Sequence, residues 1–569
     1  MRSARLIPLL VAGAIAAAPA GAQDHSADAK PVAVTVGGWR FFSGPPPAGW
    51  ADPAFDDKTW GGPAPGPFVP DRFGLLEGAT PVTRYALTRG QPLLLRGRIK
   101  PADPSRVRVL DLHVAYGDGF IAYLDGREVA RRGMAPSGTE ALAPHGPEVE
   151  HVSVEVPPGG LPAAGSTVGL AIFAAPIRNM ILPVVPAAAA DVGAASGVRI
   201  VRGPYLNVLP DALHGRQMRI RWRTDLPATA KVTFGRADGA GTPRTTTVAS
   251  GTDGTAVIGS LTAGKAYTYR LEVDAGRGDR AASGPFTFET LPDPPTPARF
   301  AVYGDMRYPG HVEHRAIVDA LVREAPPLVF NTGDLTDVGS EESNWQKYFE
   351  ITAPLGAIAP VVPALGNHDG ERRGTGGAVS AGLFGLPSPN LWTSYDDGGV
   401  HFVILSTNQM TNMAQRDWLV SDLARARREH WRAIFAFCHE GPWSHGLHGD
   451  SDLMARVYAP ILAAAHVDML FSGHDHIYER GVGTTPAGKL AYIVTGGGGA
   501  PLYDPSCRAA SGPPPGEVPH PLRPCPASVT VLTKTFHYIM VEVAKAGITL
   551  CPRHPDGTPV EPCIHLPSH

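Results

Sequence analysis

The chain has 569 residues, too many for a single hydrophobic core and enough for three or four domains. Its formal net charge is −3, with 50 Lys and Arg set against 53 Asp and Glu and no run of one sign, so it offers no basic patch for a nucleic-acid or membrane-surface partner. High counts of glycine (66) and proline (58) fit a β- and loop-rich architecture.

Residues 1–22 have a basic start, an apolar stretch and the small-residue exit Ala20-Gly21-Ala22. This reads as a cleaved secretory signal peptide, too short and Ala-rich for a lasting membrane span, so a secreted or periplasmic protein is expected. Residues 23–190 alternate apolar and polar in short runs broken by Gly and Pro, an all-β pattern. The segments FDDKTW and YGDGFIAYLDGREVARRG resemble jelly-roll modules of the galactose-binding type, which implies either a glycan-binding module or an architectural domain. Trp39, Trp50 and Trp60 read as core residues rather than a ligand platform. A spacer, VPAAAADVGAASG, leads to a second β unit at 198–292. There MRIRWRT and LTAGKAYTYRLEV resemble a fibronectin type III sandwich, with Trp222 and Tyr267 or Tyr269 in its core.

From 297 to 569 short apolar runs alternate with helical stretches: HRAIVDALVREA, NWQKYFEITA, QRDWLVSDLARARRE and DLMARVYAPILAAA. The alternation predicts a layered α/β domain with helices packed outside a sheet sandwich. Five of the runs (RFAVY, PLVFN, VVPAL, AIFAF and VDMLF) each precede a motif rich in metal-ligand types. In order these are Gly304-Asp305, Gly333-Asp334-Leu335-Thr336-Asp337, Gly366-Asn367-His368-Asp369, Cys438-His439-Glu440 and Gly473-His474-Asp475-His476. Glycine lets the chain turn tightly where a strand ends, so carboxylates, an amide and imidazoles should collect along one sheet edge. Such a donor set suits divalent or trivalent metals, and two ions about 3.5–4 Å apart would be typical of a hydrolytic pair.

The order of these motifs resembles the calcineurin-like metallophosphoesterases, and GHDHIYER with TGGGGAPLY resembles the purple acid phosphatase branch, over roughly residues 297–548. The resemblance implies one metal held by Asp305, Asp334 and His476, and a second held by Asp334, Asn367, His439 and His474, with Asp334 bridging. Iron, zinc or manganese would fit. Two positions depart from the family. Most members carry a His two residues after the first Asp, where this chain has Arg307, which offers no lone pair. Purple acid phosphatases use a Tyr three residues after the bridging Asp, where this chain has Asp337. Tyr308, His311 or His314 would then be candidates to complete the first metal's shell, unless they are surface residues of the following helix.

The implied activity is that of a metallophosphoesterase, an acid or alkaline phosphatase-type hydrolase acting on small phosphate monoesters; phosphodiesters, or a silent glycan-binding protein, are the alternatives. A hydroxide formed on the metal pair would attack phosphorus while the cations neutralise developing charge. His368 is the expected proton donor to the leaving oxygen. Asp337 would orient it, as an Asp so placed does in the serine/threonine phosphatases, or would replace the missing Tyr as a ligand. Arg307, His445 and His448 are candidates for substrate contact; each has a plainer role open to it, the histidines in ordering their loop and Arg307 in pairing with Asp337 or Glu313. Cys507 with Cys525 and Cys551 with Cys563 would close short loops in an oxidising compartment, and Cys438 reads as a buried thiol.

Overall fold

The computed structural model describes residues 34–567, apart from 65–67, 71–82, 86–90, 117–118, 133, 135–147, 157–159, 174–188, 196, 210–215, 308–310, 371–375 and 510–522. The expected signal peptide and Tyr308 lie outside the described residues.

The first β unit is built from two antiparallel sheets, with a short parallel pair, Phe68–Pro70 and Thr83–Tyr85, beside them. Six strands run in the order Gly61–Ala64, Val34–Ser43, Leu93–Pro101, Ser166–Phe173, Gly119–Leu124 and Arg127–Arg132; three more are Ala189–Ala195, Val109–Tyr116 and Glu148–Glu155. Leu95, Leu112, Phe120, Val154 and Leu170 from both sheets share one core. The three tryptophans are buried, as expected of core residues. One segment departs from the sequence reading. Ala189–Ala195, expected within the spacer, pairs as a strand with Val109–Tyr116. Its Ala- and Gly-rich composition imitates a linker.

The second β unit is a sheet of Ile200–Asn207, Met218–Arg236, Arg244–Ile258, Ala266–Gly276 and Asp279–Glu289. Trp222, Tyr267 and Tyr269 are buried in its core.

Two further sheets lie face to face beyond residue 297. One runs Val361–Pro363, Val329–Asn331, Ala298–Tyr303, Tyr538–Ala544, Gly547–Arg553, Ile564–Leu566. The other runs Thr393–Asp397, Val400–Ile404, Ala433–Phe437, Met469–Ser472, Gly488–Thr495, Tyr478–Thr485, Val529–Thr533. Phenylalanines fill the gap: Phe330 stacks on Phe437 at 4.2 Å between ring centroids, and Phe437 on Phe471 at 5.3 Å. Helices α1 (His311–Glu324), α2 (Glu342–Gly356) and α3 (Gly376–Phe384) cover the first sheet, and α4 (Met413–Glu429) and α5 (Ala459–Ala464) the second. Helix α3 has no counterpart in the sequence reading, because Gly376, Gly377 and Gly382 depress its helical signal. The second β unit is fastened to α2: Arg202 and Arg223 both pair with Glu342, and the Tyr269 hydroxyl donates to the Ala357 carbonyl at 2.9 Å. Disulfides join Cys507 to Cys525 and Cys551 to Cys563, while Cys438 is a buried free thiol.

A buried ion cluster ties α4 to the edge of the second sheet. His401 Nδ1 lies 2.5 Å from Asp396 and Nε2 2.9 Å from Asp422, and Arg425 bonds both carboxylates at 3.0 Å. Burial opposes charge on His401, but the two carboxylates outweigh it and raise its pKa above 6.5. Burial likewise opposes charge on Asp396 and Asp422, but His401 and Arg425 outweigh it and hold both below 3.8. The His401 contribution to stability is therefore complete below pH 6.5 and is lost as pH rises through its raised folded value, whereas the two carboxylates lose theirs only as pH falls below 3.8. Urea unfolding of His401→Gln against the parent should show a stability gap that is larger at pH 5.5 than at pH 8.5. A gap that is constant or widens with pH would contradict this cluster.

Candidate metal centre

The five motifs do not share one sheet edge. Asp305, Asp334 and Asn367 follow parallel strands of the first sheet, whereas His439 and His474 follow parallel strands of the second. The motifs meet because the two sheets present these strand ends side by side. Backbone bonds cross-link the turns: the Asp305 amide donates to Gly333 O (2.9 Å), Gly498 N to Gly304 O (2.7 Å) and Gly473 N to His439 O (2.9 Å). The glycine run 496–499 is therefore a tight backbone layer under the site. Asp305, Asp334 and His474 all have left-handed backbones, with φ of 62°, 53° and 70°. Each costs roughly 1–3 kcal/mol in a non-glycine residue, strain that clusters where function fixes a side chain.

Asp305, Asp334 and His476 bring ligand atoms within 4.8 Å of one another. A second group meets at His439, whose Nε2 is 3.3 Å from Asp334 Oδ1, 3.1 Å from Asn367 Oδ1 and 3.2 Å from His474 Nδ1. Asp334 belongs to both groups. The proton positions test whether these residues suit a cation. His439 Nδ1 faces the Thr332 carbonyl at 2.8 Å and His476 Nδ1 the Pro501 carbonyl at 2.7 Å, so both donate from Nδ1. Each neutral ring then turns an Nε2 lone pair inward, toward carboxylate and amide oxygens that are also lone pairs. Acceptors crowded on acceptors need a cation between them, and holding the outer nitrogen by a carbonyl is how metal-binding histidines are fixed. Burial, with His439 and His448 nearby, pushes His474 down to about 2; burial and Arg307 push His476 down to about 4. Both are neutral at physiological pH. Burial and then Asp334 drive the Asp305 carboxyl upward, a repulsion that a positive ion would relieve.

The remaining expected residues are placed as follows. His368 Nδ1 donates to the backbone carbonyl of Asp337 at 2.8 Å, while the Asp337 carboxylate stands 3.8 Å away. That carboxylate pairs instead with Arg307 at 3.3 Å, and Arg307 Nε lies 3.5 Å from Asp334. The carboxylate–imidazole dyad expected from sequence is thus replaced by a carbonyl–imidazole contact. His448 reaches the centre, stacked on His474 at 4.1 Å. His445 is tied back to Glu479, through its amide at 2.7 Å and Nδ1 at 3.0 Å, which fits the loop-ordering role. His314 is buried between Tyr303 and Tyr348 on the core face of α1, and burial pushes its pKa down to about 3. Its contacts there are aromatic, a core role rather than a place in the metal shell.

Sequence reasoning missed four supporting residues. The Asp369 carboxylate accepts from the amides of Leu335 (2.8 Å), Thr336 (3.0 Å) and Gly366 (3.0 Å), and so locks the Asp334 turn to the Asn367 turn. Asp475 accepts from Ser444 Oγ (2.5 Å) and the His448 amide (2.8 Å), and Glu479 anchors the same loop through His445. Both aspartates lie inside the quoted motifs, where a strand-end carboxylate among backbone N–H groups was signal enough. Tyr503 ends the quoted TGGGGAPLY, but its residue type did not mark it as part of the site. Its ring stacks on His476 at 4.0 Å, and its hydroxyl lies 3.5 Å from Arg307.

Residues 298–478 match the family described as calcineurin-like phosphoesterase. Purple acid phosphatase 22 of Arabidopsis thaliana is 29% identical over 239 residues, 39% of this chain and 52% of that one. Purple acid phosphatase 23 of the same plant is 30% identical over 265 residues, 38% of this chain and 57% of that one. The chain thus spans about half the length of the relatives it matches. Among solved structures it is similar to purple acid phosphatase PPD1 from yellow lupin (Lupinus luteus) seeds, with a TM-score of 0.57 at 15% identity, over 83% of this chain and 93% of that one. At that identity the likeness is one of fold. Residues 298–478 thus match a calcineurin-like phosphoesterase domain, and the curated relatives that the chain resembles there are purple acid phosphatases.

Proposed function

We propose that the protein is an exported, metal-dependent phosphoesterase that hydrolyses small phosphate monoesters at a dinuclear site. One observation carries the reading: two sets of inward-facing donors share the single carboxylate of Asp334. Asp305, Asp334 and His476 would hold one ion, and Asp334, Asn367, His439 and His474 the other. Bound there, two iron, zinc or manganese ions supply an activated water and concentrated positive charge. The chain's own residues do the rest. His368, fixed through Nδ1 by the Asp337 carbonyl, is left with Nε2 to carry a proton to the leaving oxygen. Arg307, steadied by Asp337, offers its planar fork to a phosphate oxygen, and His448 and Tyr503 wall the same side.

Export is supported by the basic–apolar–small pattern of residues 1–22 and by two disulfides, and no described helix is long and apolar enough to cross a membrane. The two β units are proposed as a galactose-binding-like jelly roll, 23–190, and a fibronectin type III-like domain, 198–292. Burial of Trp39, Trp50 and Trp60 favours an architectural role for the first over a glycan platform.

The test is hydrolysis of an aryl phosphate monoester and the matching diester, before and after chelation and after metal is returned. Monoester turnover lost on chelation and regained with metal supports the reading. Turnover indifferent to chelation, or absent from fully loaded protein, rules it out, and a faster diester moves the assignment to a phosphodiesterase. Because Asp337 stands where the family's tyrosinate would be, the ferric protein is expected to lack the intense visible charge-transfer band. A purple preparation would show that a tyrosine from elsewhere, such as Tyr503 beside His476, reaches the iron.

A further inference from the structure

The outward positions of strand Met218–Arg236 set Arg219, Arg221 and Arg223 in a row facing the catalytic domain. Two of the three are answered. Arg223 reaches Glu342 at 3.0 Å, and Arg221 donates to the carbonyls of Gly382 and Leu383 near the C-terminal end of α3. Arg219 is different: among the described residues no carboxylate pairs with it, and its guanidinium lies against Gly385. Burial and the neighbouring Arg221 hold its pKa below the ordinary arginine value.

Arg219 and Arg221 border a cavity of about 490 Å³. Its other walls, such as Thr255, Ala378, Gly382 and Ser388, are small and uncharged, and none of the described lining residues is acidic. The Arg219 fork and the edge of Arg221 left over from its Gly382 and Leu383 bonds face a space of small-molecule size, where two positive charges with no carboxylate partner there favour an oxyanion. We propose that this cavity, between the second β unit and α3, binds an anion of the phosphate class through Arg219 and Arg221.

The cavity connects to the metal centre through α3. Ser380 Oγ donates to the Asp369 carbonyl at 2.9 Å, and the Asp369 carboxylate holds the turns of Asp334 and Asn367. An anion seated at Arg219 and Arg221 would steady α3 and, through it, the ligand turns. This link to turnover rests on the phosphoesterase reading; the anion site rests on the cavity alone.

The test is equilibrium dialysis of radiolabelled inorganic phosphate against the full metal-loaded chain, with a non-hydrolysable alkyl phosphonate in a second arm to separate free phosphate from an esterified headgroup. Two equivalents are expected for the parent chain. Asp334→Asn should keep the cavity equivalent, Arg219→Gln in that background should weaken it about tenfold or more, and Arg219→Lys should recover part of it. Near-UV circular dichroism confirms that each variant is folded. Folded Asp334→Asn protein that binds no phosphate, or Arg219→Gln with undiminished binding in that background, overturns the proposal. A parent chain that binds one equivalent, lost in Arg219→Gln, supports the cavity while counting against phosphate binding at the metal centre.

Discussion

Asp334→Asn is expected to remove both metal ions and hydrolysis together. Its carboxylate is the one group common to the two donor sets, 3.3 Å from His439 Nε2 and within 4.8 Å of the Asp305 and His476 ligand atoms. Burial opposes its charge, yet the His368 amide, donating to Oδ1 at 3.0 Å, and the nearby Arg307 favour the carboxylate, and its pKa lies below 3.8. An amide keeps the shape and one oxygen but loses the charge that two adjacent cations require. The loss of affinity should exceed the roughly 10–100-fold that removing an outer partner of a metal ligand costs. Metal content by mass spectrometry and turnover of an aryl phosphate, measured on the same sample, check it. A folded variant that keeps two ions and near-normal turnover would remove Asp334 from the bridging position.

His368→Ala should behave in the opposite way, keeping metal and losing proton transfer. The side chain in that motif aimed at the second donor group is Asn367, 3.1 Å from His439. Alkyl phosphates, whose alkoxide needs a proton to depart, should slow by ~10²–10⁴-fold, the usual contribution of a positioned proton donor. Activated aryl phosphates should slow far less, because a phenolate leaves without help. Equal losses on both substrates with metals retained would contradict the acid role. The structure changes what is expected of Asp337. Since its backbone carbonyl, not its carboxylate, holds the imidazole, Asp337→Asn should leave the leaving-group pattern intact. Its cost should fall on KM, through the loosened Arg307 fork. A loss of metal in Asp337→Asn would instead make that carboxylate a ligand.

Sequence carried the fold beyond residue 297 well, because short apolar runs ending in Gly and polar residues leave few other readings. The Phe-rich runs around Phe300, Phe330, Phe437 and Phe471 proved to be the layer between two sheets. Periodicity could not say which strands share a sheet, so the prediction of a single edge missed that the centre lies where two sheets meet. Helix α3 was hidden by its glycines, which depress a helical signal, and the strand Ala189–Ala195 by a composition that reads as a spacer. At the site, the side chains that converge on Asp334 were legible because chemistry restricts them to a few residue types. What surrounds them was not. Tyr503 reaches His476 from a separate loop, and the hold on His368 is a main-chain carbonyl, which no residue type encodes.

Anomalous X-ray diffraction from crystals of the metal-loaded protein tests the central claim most directly. Two anomalous peaks about 3.5–4 Å apart are expected, with the Asp334 carboxylate between them. Asp305 and His476 should flank one peak, and Asn367, His439 and His474 the other. A single peak, or two peaks without Asp334 between them, would contradict the account.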